Sequence, residues 1–321
     1  MPESVERAIS LINQDRFSEA VEVLEGVIMS EPENAWAHYW LGTAYLSLSN
    51  YNDAIRVINQ AIRINEKEAE FHYGIAGAYF AINELDNVRT AIEQALRLDP
   101  EHVKSYVALA HLCEAQGHRQ DAVGHYKNVI QLEPRFAAAY AAIGMIYYRA
   151  GDSREAVGWF ERAISANPNL TDAQLGLGSS LFALGNYTKA IGPLLKAVRL
   201  DTNSARAHER LGATYIKLKQ YFKARDALKK AISLDPDDAD AYTELGAAYI
   251  NLAKFQEALE ALKKADSIRP DFPVTHYLIG MACLMSGDKV TAMNEYMILA
   301  SLDSKLADEL WAYIMRANTK R

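Results

Sequence analysis

Residues 239–272 read ADAYTELGAAYINLAKFQEALEALKKADSIRPDF. Two apolar runs at helical spacing flank a short polar turn: Tyr242, Leu245, Gly246 and Tyr249 before it, Ala258, Leu262 and Ala265 after it. Pro270 follows, where it ends the second helix. The pattern predicts a helix hairpin. Helices this short are marginal alone, so the hairpin must stack on something.

The rest of the chain supplies that something by repetition. Cut every 34 residues from Met1, it gives nine segments without insertion or deletion, starting at residues 1, 35, 69, 103, 137, 171, 205, 239 and 273. The eighth phase holds Ala8, Gly42, Ala76, Ala110, Gly144, Gly178, Gly212, Gly246 and Gly280. At the twentieth, Val88 is the single departure from alanine. The twenty-fourth is large throughout: Leu24, Ile58, Ile92, Tyr126, Phe160, Leu194, Leu228, Leu262 and Tyr296. Proline stands at phase 32 in six segments. Small residues at phases 8 and 20 let two antiparallel helices approach closely, and large ones fill the space beside them. Each hairpin then buries its faces on its neighbours.

These phases resemble the tetratricopeptide repeat family, whose pattern segment eight carries at Tyr242, Leu245, Gly246, Tyr249, Phe255, Ala258, Leu262, Ala265 and Pro270. The resemblance covers residues 1–306 and is weakest in segments one, where Arg7 replaces the usual leucine, and nine. It implies an all-α fold: a right-handed α-solenoid of nine helix-turn-helix repeats, with the first helix of each lining a concave groove. Residues 307–321 read as a C-terminal capping helix. The resemblance implies a non-enzymatic scaffold that binds a peptide segment of a partner protein in that groove. The alternative is self-association, a homo-oligomer built through the terminal repeats.

The resemblance places phases 2, 5, 6, 9, 12 and 13 on the groove, and spacing separates that stripe from core phases 4, 7, 8 and 11. Tyr45 and Tyr51 fall on core phases, as does His38, which shares phase 4 with His72, His208 and His276. Trp36, Tyr39 and Trp40 face the groove, followed by Tyr73 and Phe80. Rings with a polar handle suit interface anchors, and they equally suit packing across adjacent repeats. Phase alone leaves both open. Further along, the stripe carries Arg149, Arg206 and Arg210, and at the last repeat Tyr277, Met281 and Leu284. Arg206 shares phase 2 with Asp240 and Arg210 shares phase 6 with Glu244, which predicts ion pairs between adjacent repeats, the alternative being a charged site for a peptide backbone or acidic side chains. Met297 and Ile298 replace the lysines of earlier segments, so the terminal helix is expected to bury them.

Other chemistry is absent from the pattern. GLGSSL at 176–181 lacks the third glycine and the preceding strand of a dinucleotide loop. No metal-binding or phosphate-loop spacing occurs, so no cofactor or metal is expected. Cys113 and Cys283 share phase 11 five repeats apart, which makes them packing thiols and not a disulfide. The Lys/Asn clamp of chaperone-tail receptors is missing, because Ala141, Met145 and Gly176 occupy its positions. A net charge of −7, from 34 basic and 41 acidic residues, argues against nucleic-acid binding. No apolar run is long enough to insert in a membrane. The opening residues MPESVERAISLINQD lack the pattern of a signal peptide, which makes the cytoplasm the expected compartment.

Overall fold

The computed structural model describes residues 3–319, which contain nineteen α-helices and no strand. The first four hairpins are α1 (Glu3–Ile12) with α2 (Phe17–Ser30), α3 (Ala35–Ser47) with α4 (Tyr51–Ile64), α5 (Ala69–Ala81) with α6 (Leu85–Leu98), and α7 (Val103–Ala115) with α8 (Arg119–Leu132). Next come α9 (Ala137–Arg149) with α10 (Ser153–Ala166), α11 (Thr171–Ala183) with α12 (Tyr187–Leu200), and α13 (Ala205–Lys217) with α14 (Tyr221–Leu234). Then α15 (Ala239–Asn251) pairs with α16 (Phe255–Ile268), and α17 (Pro273–Ser286) with α18 (Lys289–Leu302). Helix α19 (Ser304–Thr319) follows. The chain divides into two compact units, Met1–Ala142 and Ile143–Arg321, with the division inside α9.

Each phase has a physical cause. Phase 8 faces phase 24 of its own hairpin. A Cβ added to Gly42 would lie 2.3 Å from Ile58, one on Gly178 2.5 Å from Leu194, one on Gly212 2.5 Å from Leu228, and one on Gly246 2.4 Å from Leu262. These large residues are fully buried. Truncating one to alanine would cost roughly 2–5 kcal/mol through the cavity left behind.

The turn inside every hairpin places its phase-15 residue in the left-handed region. Four of the nine are glycines (Gly117, Gly151, Gly185, Gly287), and Asp15, Ser49, Asn83, Lys219 and Ala253 adopt the same conformation. The backbone N–H that follows it closes the turn, as Asn50 N bonds Tyr45 O at 2.8 Å and Lys254 N bonds Tyr249 O at 2.9 Å.

Phase 4 locks the turn between hairpins. His38 Nε2 bonds the Pro32 carbonyl at 2.9 Å, His72 bonds Glu66 O at 3.1 Å and His208 bonds Thr202 O at 3.2 Å. Gln174 donates to Pro168 O and Tyr140 to Pro134 O in the same way. The recurring phase-4 histidines are therefore structural donors. His276 departs from the rule and contacts Glu295 at 2.8 Å and Asp266 at 3.5 Å.

At the C-terminal end, α19 packs on both α17 and α18, as the first helix of a further repeat would. Its inner face is Ala307, Leu310 and Ile314, and Leu310 takes the contact beside Gly280 that phase 24 makes elsewhere. Tyr296 instead meets the Trp311 ring at 5.0 Å. This placement corrects one expectation. Met297 is 58% exposed and Ile298 also lies open, because α19 covers the stacking face of α18 and not its outer face. Cys113 and Cys283 are each buried and free, and burial pushes the Cys283 thiol up to about 11.

Candidate functional site

In the first unit, α3 brings three aromatic side chains to its groove face. Tyr39 is 6% exposed and stacks on Phe71 of α5 at 5.2 Å. The Trp36 ring meets Phe71 edge-on at 4.9 Å and Tyr39 at 5.6 Å, and Trp40 meets Tyr39 at 5.3 Å. Trp36 and Trp40 are half-buried. The Tyr39 ring can lie this close to α5 because residue 74 is glycine: an added Cβ there would sit 2.4 Å from Tyr39 Cε2. These rings pack two repeats together and leave one edge of the cluster open.

That edge opens on an apolar pocket of about 360 Å³ between α3, α5 and α7, with Val88 and Ile92 of α6 behind it. Tyr39, Leu46, Tyr73, Phe80, Ala108, His111 and Leu112 line it, with Gly74 and Gly77 on the α5 side. Phe80 is 59% exposed at the mouth. At Gly77 an added Cβ would meet nothing nearer than Leu46 Cδ1 at 4.0 Å, so absent side-chain bulk creates part of the space. The volume lies at the lower end of the roughly 300–1,000 Å³ typical of ligand pockets.

A polar network edges the same face. Tyr39 donates to Glu70 Oε1 at 3.3 Å, Lys104 Nζ approaches that oxygen at 3.0 Å, and His102 Nε2 lies 3.0 Å from Glu70 Oε2. Burial opposes ionisation of Glu70, but the hydrogen bonds from Lys104 and His102 outweigh it and hold its carboxyl below the ordinary value. Burial and the neighbouring Glu70 charge raise the Tyr39 phenol, which stays protonated and serves as a donor. Lys104 also lies 5.8 Å from the centre of the Tyr73 ring.

In the second unit the charged stripe is arranged differently from the phase prediction. Among the described residues, neither Arg206–Asp240 nor Arg210–Glu244 forms an ion pair. The Arg210 guanidinium instead lies over the Phe182 ring of α11 at 5.3 Å, with Nε 3.7 Å from Glu209 on its own helix. Asp240 accepts a hydrogen bond from Arg269, whose guanidinium covers the Phe272 ring. Arg210 and Arg269 are each drawn to an aromatic face and a nearer carboxylate, so equal phase does not become contact. Arg206 is exposed, and Arg149 is exposed at the end of α9. Met281 is buried and Tyr277 and Leu284 are half-buried, in one cluster with Ala307, Leu310 and Ile314 of α19.

The residues not anticipated are Gly74, Gly77, Leu46 and Glu70. Their signal was the run of small residues Gly74, Gly77 and Ala108 on groove phases beside large rings. Among the described residues no group of three or more His, Cys, Asp or Glu side chains could hold a metal ion, and no helix is long and apolar enough to cross a membrane.

Stacked 34-residue hairpins, with an open first-helix face and small-on-large contacts inside each hairpin, define the helical-repeat class of interaction proteins. The chain belongs to the tetratricopeptide repeat family. Residues 102–313 match the Cilia and flagella-associated protein 70 C-terminal domain, and residues 11–76 and 69–102 match tetratricopeptide repeat models. No curated protein sequence matches the chain.

Three solved structures illustrate the likeness. The APC/C Cut9–Hcn1 hetero-tetramer contains a chain 19% identical at TM-score 0.58, covering 86% of this chain and 54% of that one. This chain thus spans about half the length of that relative. YrrB, a TPR protein described as having an unusual peptide-binding site, is 27% identical at TM-score 0.51, over 58% of this chain and 95% of that one. The C-terminal part of a TPR protein from Cytophaga hutchinsonii is 17% identical at TM-score 0.60, over 75% and 99%.

Proposed function

We propose that the protein is a non-enzymatic scaffold that holds a peptide segment of a partner protein on its first-helix face. The observation that carries this reading is the pocket between α3, α5 and α7, which is apolar, open on one side and bordered by donors and acceptors. An apolar side chain of the peptide enters it against Tyr73 and Phe80. The Trp36–Tyr39–Trp40 cluster fixes the pocket wall, and Glu70 and Lys104 meet the peptide backbone or its charged side chains. The likeness to YrrB, described as having an unusual peptide-binding site, supports a peptide ligand. In the second unit, taken by itself, Arg149, Arg206, Tyr277 and Leu284 are candidates for a separate peptide contact, whereas Met281 is buried and Arg210 lies over Phe182.

The test is selection of peptides from a random display library on the full chain, with Gly77→Leu as the counter-target. Peptides carrying an aromatic or branched apolar anchor should bind the native protein and lose at least about tenfold on Gly77→Leu, whose helical CD spectrum is unchanged. Equal binding to both proteins would sink the pocket assignment.

A second reading, self-association through the C-terminal repeat, is favoured by Val290 and Met297, which leave apolar surface open on α18. Sedimentation velocity decides it: a dimer that dissociates in Val290→Lys/Met297→Lys supports the reading, and a monomer at all concentrations removes it.

A further inference from the structure

The groove face of α13 and α15 carries charges that are buried and incompletely satisfied. Glu209 is only 8% exposed, and among the described residues its ion contact is Arg210 Nε at the long distance of 3.7 Å. Glu244, one repeat further on, has its Oε2 buried with no hydrogen-bond partner, and Arg210 Nε is likewise buried without one. Buried polar atoms nearly always find partners, so each such orphan needs a cause. Leaving a charged one unmet costs several kcal/mol in general.

The surrounding charges do not supply the missing donor. Arg210 is held over Phe182. Arg269 is engaged by Asp240, Asp238 caps α15 by accepting from Ala241 N, and Arg206 points into solvent. On the side of α17, Thr275 meets Thr243 at 3.0 Å and offers nothing to the glutamates. The buried trio of Glu209, Glu244 and Arg210 therefore sets two carboxyls against one guanidinium.

We infer that the α13–α15 face of the second unit is a receptor for one organic cation, the ammonium or guanidinium of a lysine or arginine side chain, seated between Glu209 and Glu244. Such a group balances the trio and donates to the orphaned Oε2, and Glu209 and Arg210 sit at adjoining phases of the first-helix face. An anion would meet two carboxyls and a single guanidinium already seated over Phe182. A neutral side chain would leave Oε2 unmet.

Burial holds both carboxyls above their ordinary values, and the charge of Glu209 raises Glu244 further; Arg210 partly offsets the effect at Glu209. The empty site therefore retains protons that an arriving cation displaces, and binding strengthens as pH rises. This site shares no residue with the apolar pocket of the first unit, so either assignment can fail without the other.

The test is a titration of the full chain, carrying 13C-labelled glutamate, with n-butylammonium and n-butylguanidinium. n-Butanol and acetate serve as the neutral and anionic controls. The side-chain carboxyl signals of Glu209 and Glu244 should move saturably with both cations and with neither control, and more tightly at pH 7.5 than at pH 5. Glu244→Gln and, independently, Glu209→Gln should weaken binding about tenfold, whereas Arg210→Gln should strengthen it by removing the competing cation. A Glu244 signal that stays protonated whatever the cation concentration would overturn the inference. So would binding unchanged in both glutamine variants.

Discussion

Two glycines three residues apart in α5 make opposite predictions. Alanine is favoured over glycine inside a helix by about 0.8–1.0 kcal/mol, and that gain applies equally to Gly74→Ala and Gly77→Ala. At Gly77 the new methyl meets only Leu46 Cδ1 at 4.0 Å, an ordinary contact, so the variant should be more stable by about 1 kcal/mol. At Gly74 it would stand 2.4 Å from Tyr39 Cε2, 3.2 Å from Cζ and 3.3 Å from the hydroxyl. Ring and helix must part by roughly 1 Å to restore a normal separation. Phe71, Trp36 and Trp40 enclose that ring. Overpacking of this kind costs about 1–3 kcal/mol, which cancels the helical gain or exceeds it.

Because propensity is common to both, Gly74→Ala should fall below Gly77→Ala by about 1–3 kcal/mol. Repeat arrays open locally, so hydrogen exchange of the α5 and α3 amides is the appropriate assay, supported by near-UV CD of the tryptophans. Equal protection in the two variants, or greater protection in Gly74→Ala, would refute the claim that Tyr39 is seated on the bare α5 backbone.

Ala253 and Lys219 occupy the left-handed turn position that glycine fills in four repeats. Ala253→Gly should stabilise its hairpin by about 1 kcal/mol, and Gly151→Ala should destabilise its own by a similar amount, read from urea midpoints. At the pocket rim, the Glu70 carboxyl lies below its ordinary value of 4.5 in the folded protein. Its contribution to stability is therefore complete above pH 4.5 and fades as pH falls through the lower folded value. Glu70→Gln should flatten that acid limb of the urea midpoint, and an unaltered limb would remove Glu70 from the network's role.

The single observation of period 34 carried the all-α class, the hairpin pairing and the small-on-large core contact. These are legible because the decisive contact, phase 8 against phase 24, lies within one hairpin and recurs in copy after copy. The same periodicity identified His38, His72 and His208 as structural, and their bonds to the preceding carbonyls give the reason. It could not place Met297 and Ile298. Burial by α19 depends on which face the last helix stacks upon, and no earlier repeat records that.

The sequence by itself determined that the chain is a stack of tetratricopeptide hairpins, and it left open what the side chains on the groove phases do. The tertiary structure alone decided what those side chains do there. Tyr39, held by Trp36 and Trp40, forms part of a pocket wall because Gly74 and Gly77 are missing bulk one repeat away, and Arg210 turns to Phe182 instead of Glu244. A periodic contact is written once and repeated, whereas a pocket or an orphaned carboxylate arises from the differences between neighbouring copies, which become physical only when their surfaces meet.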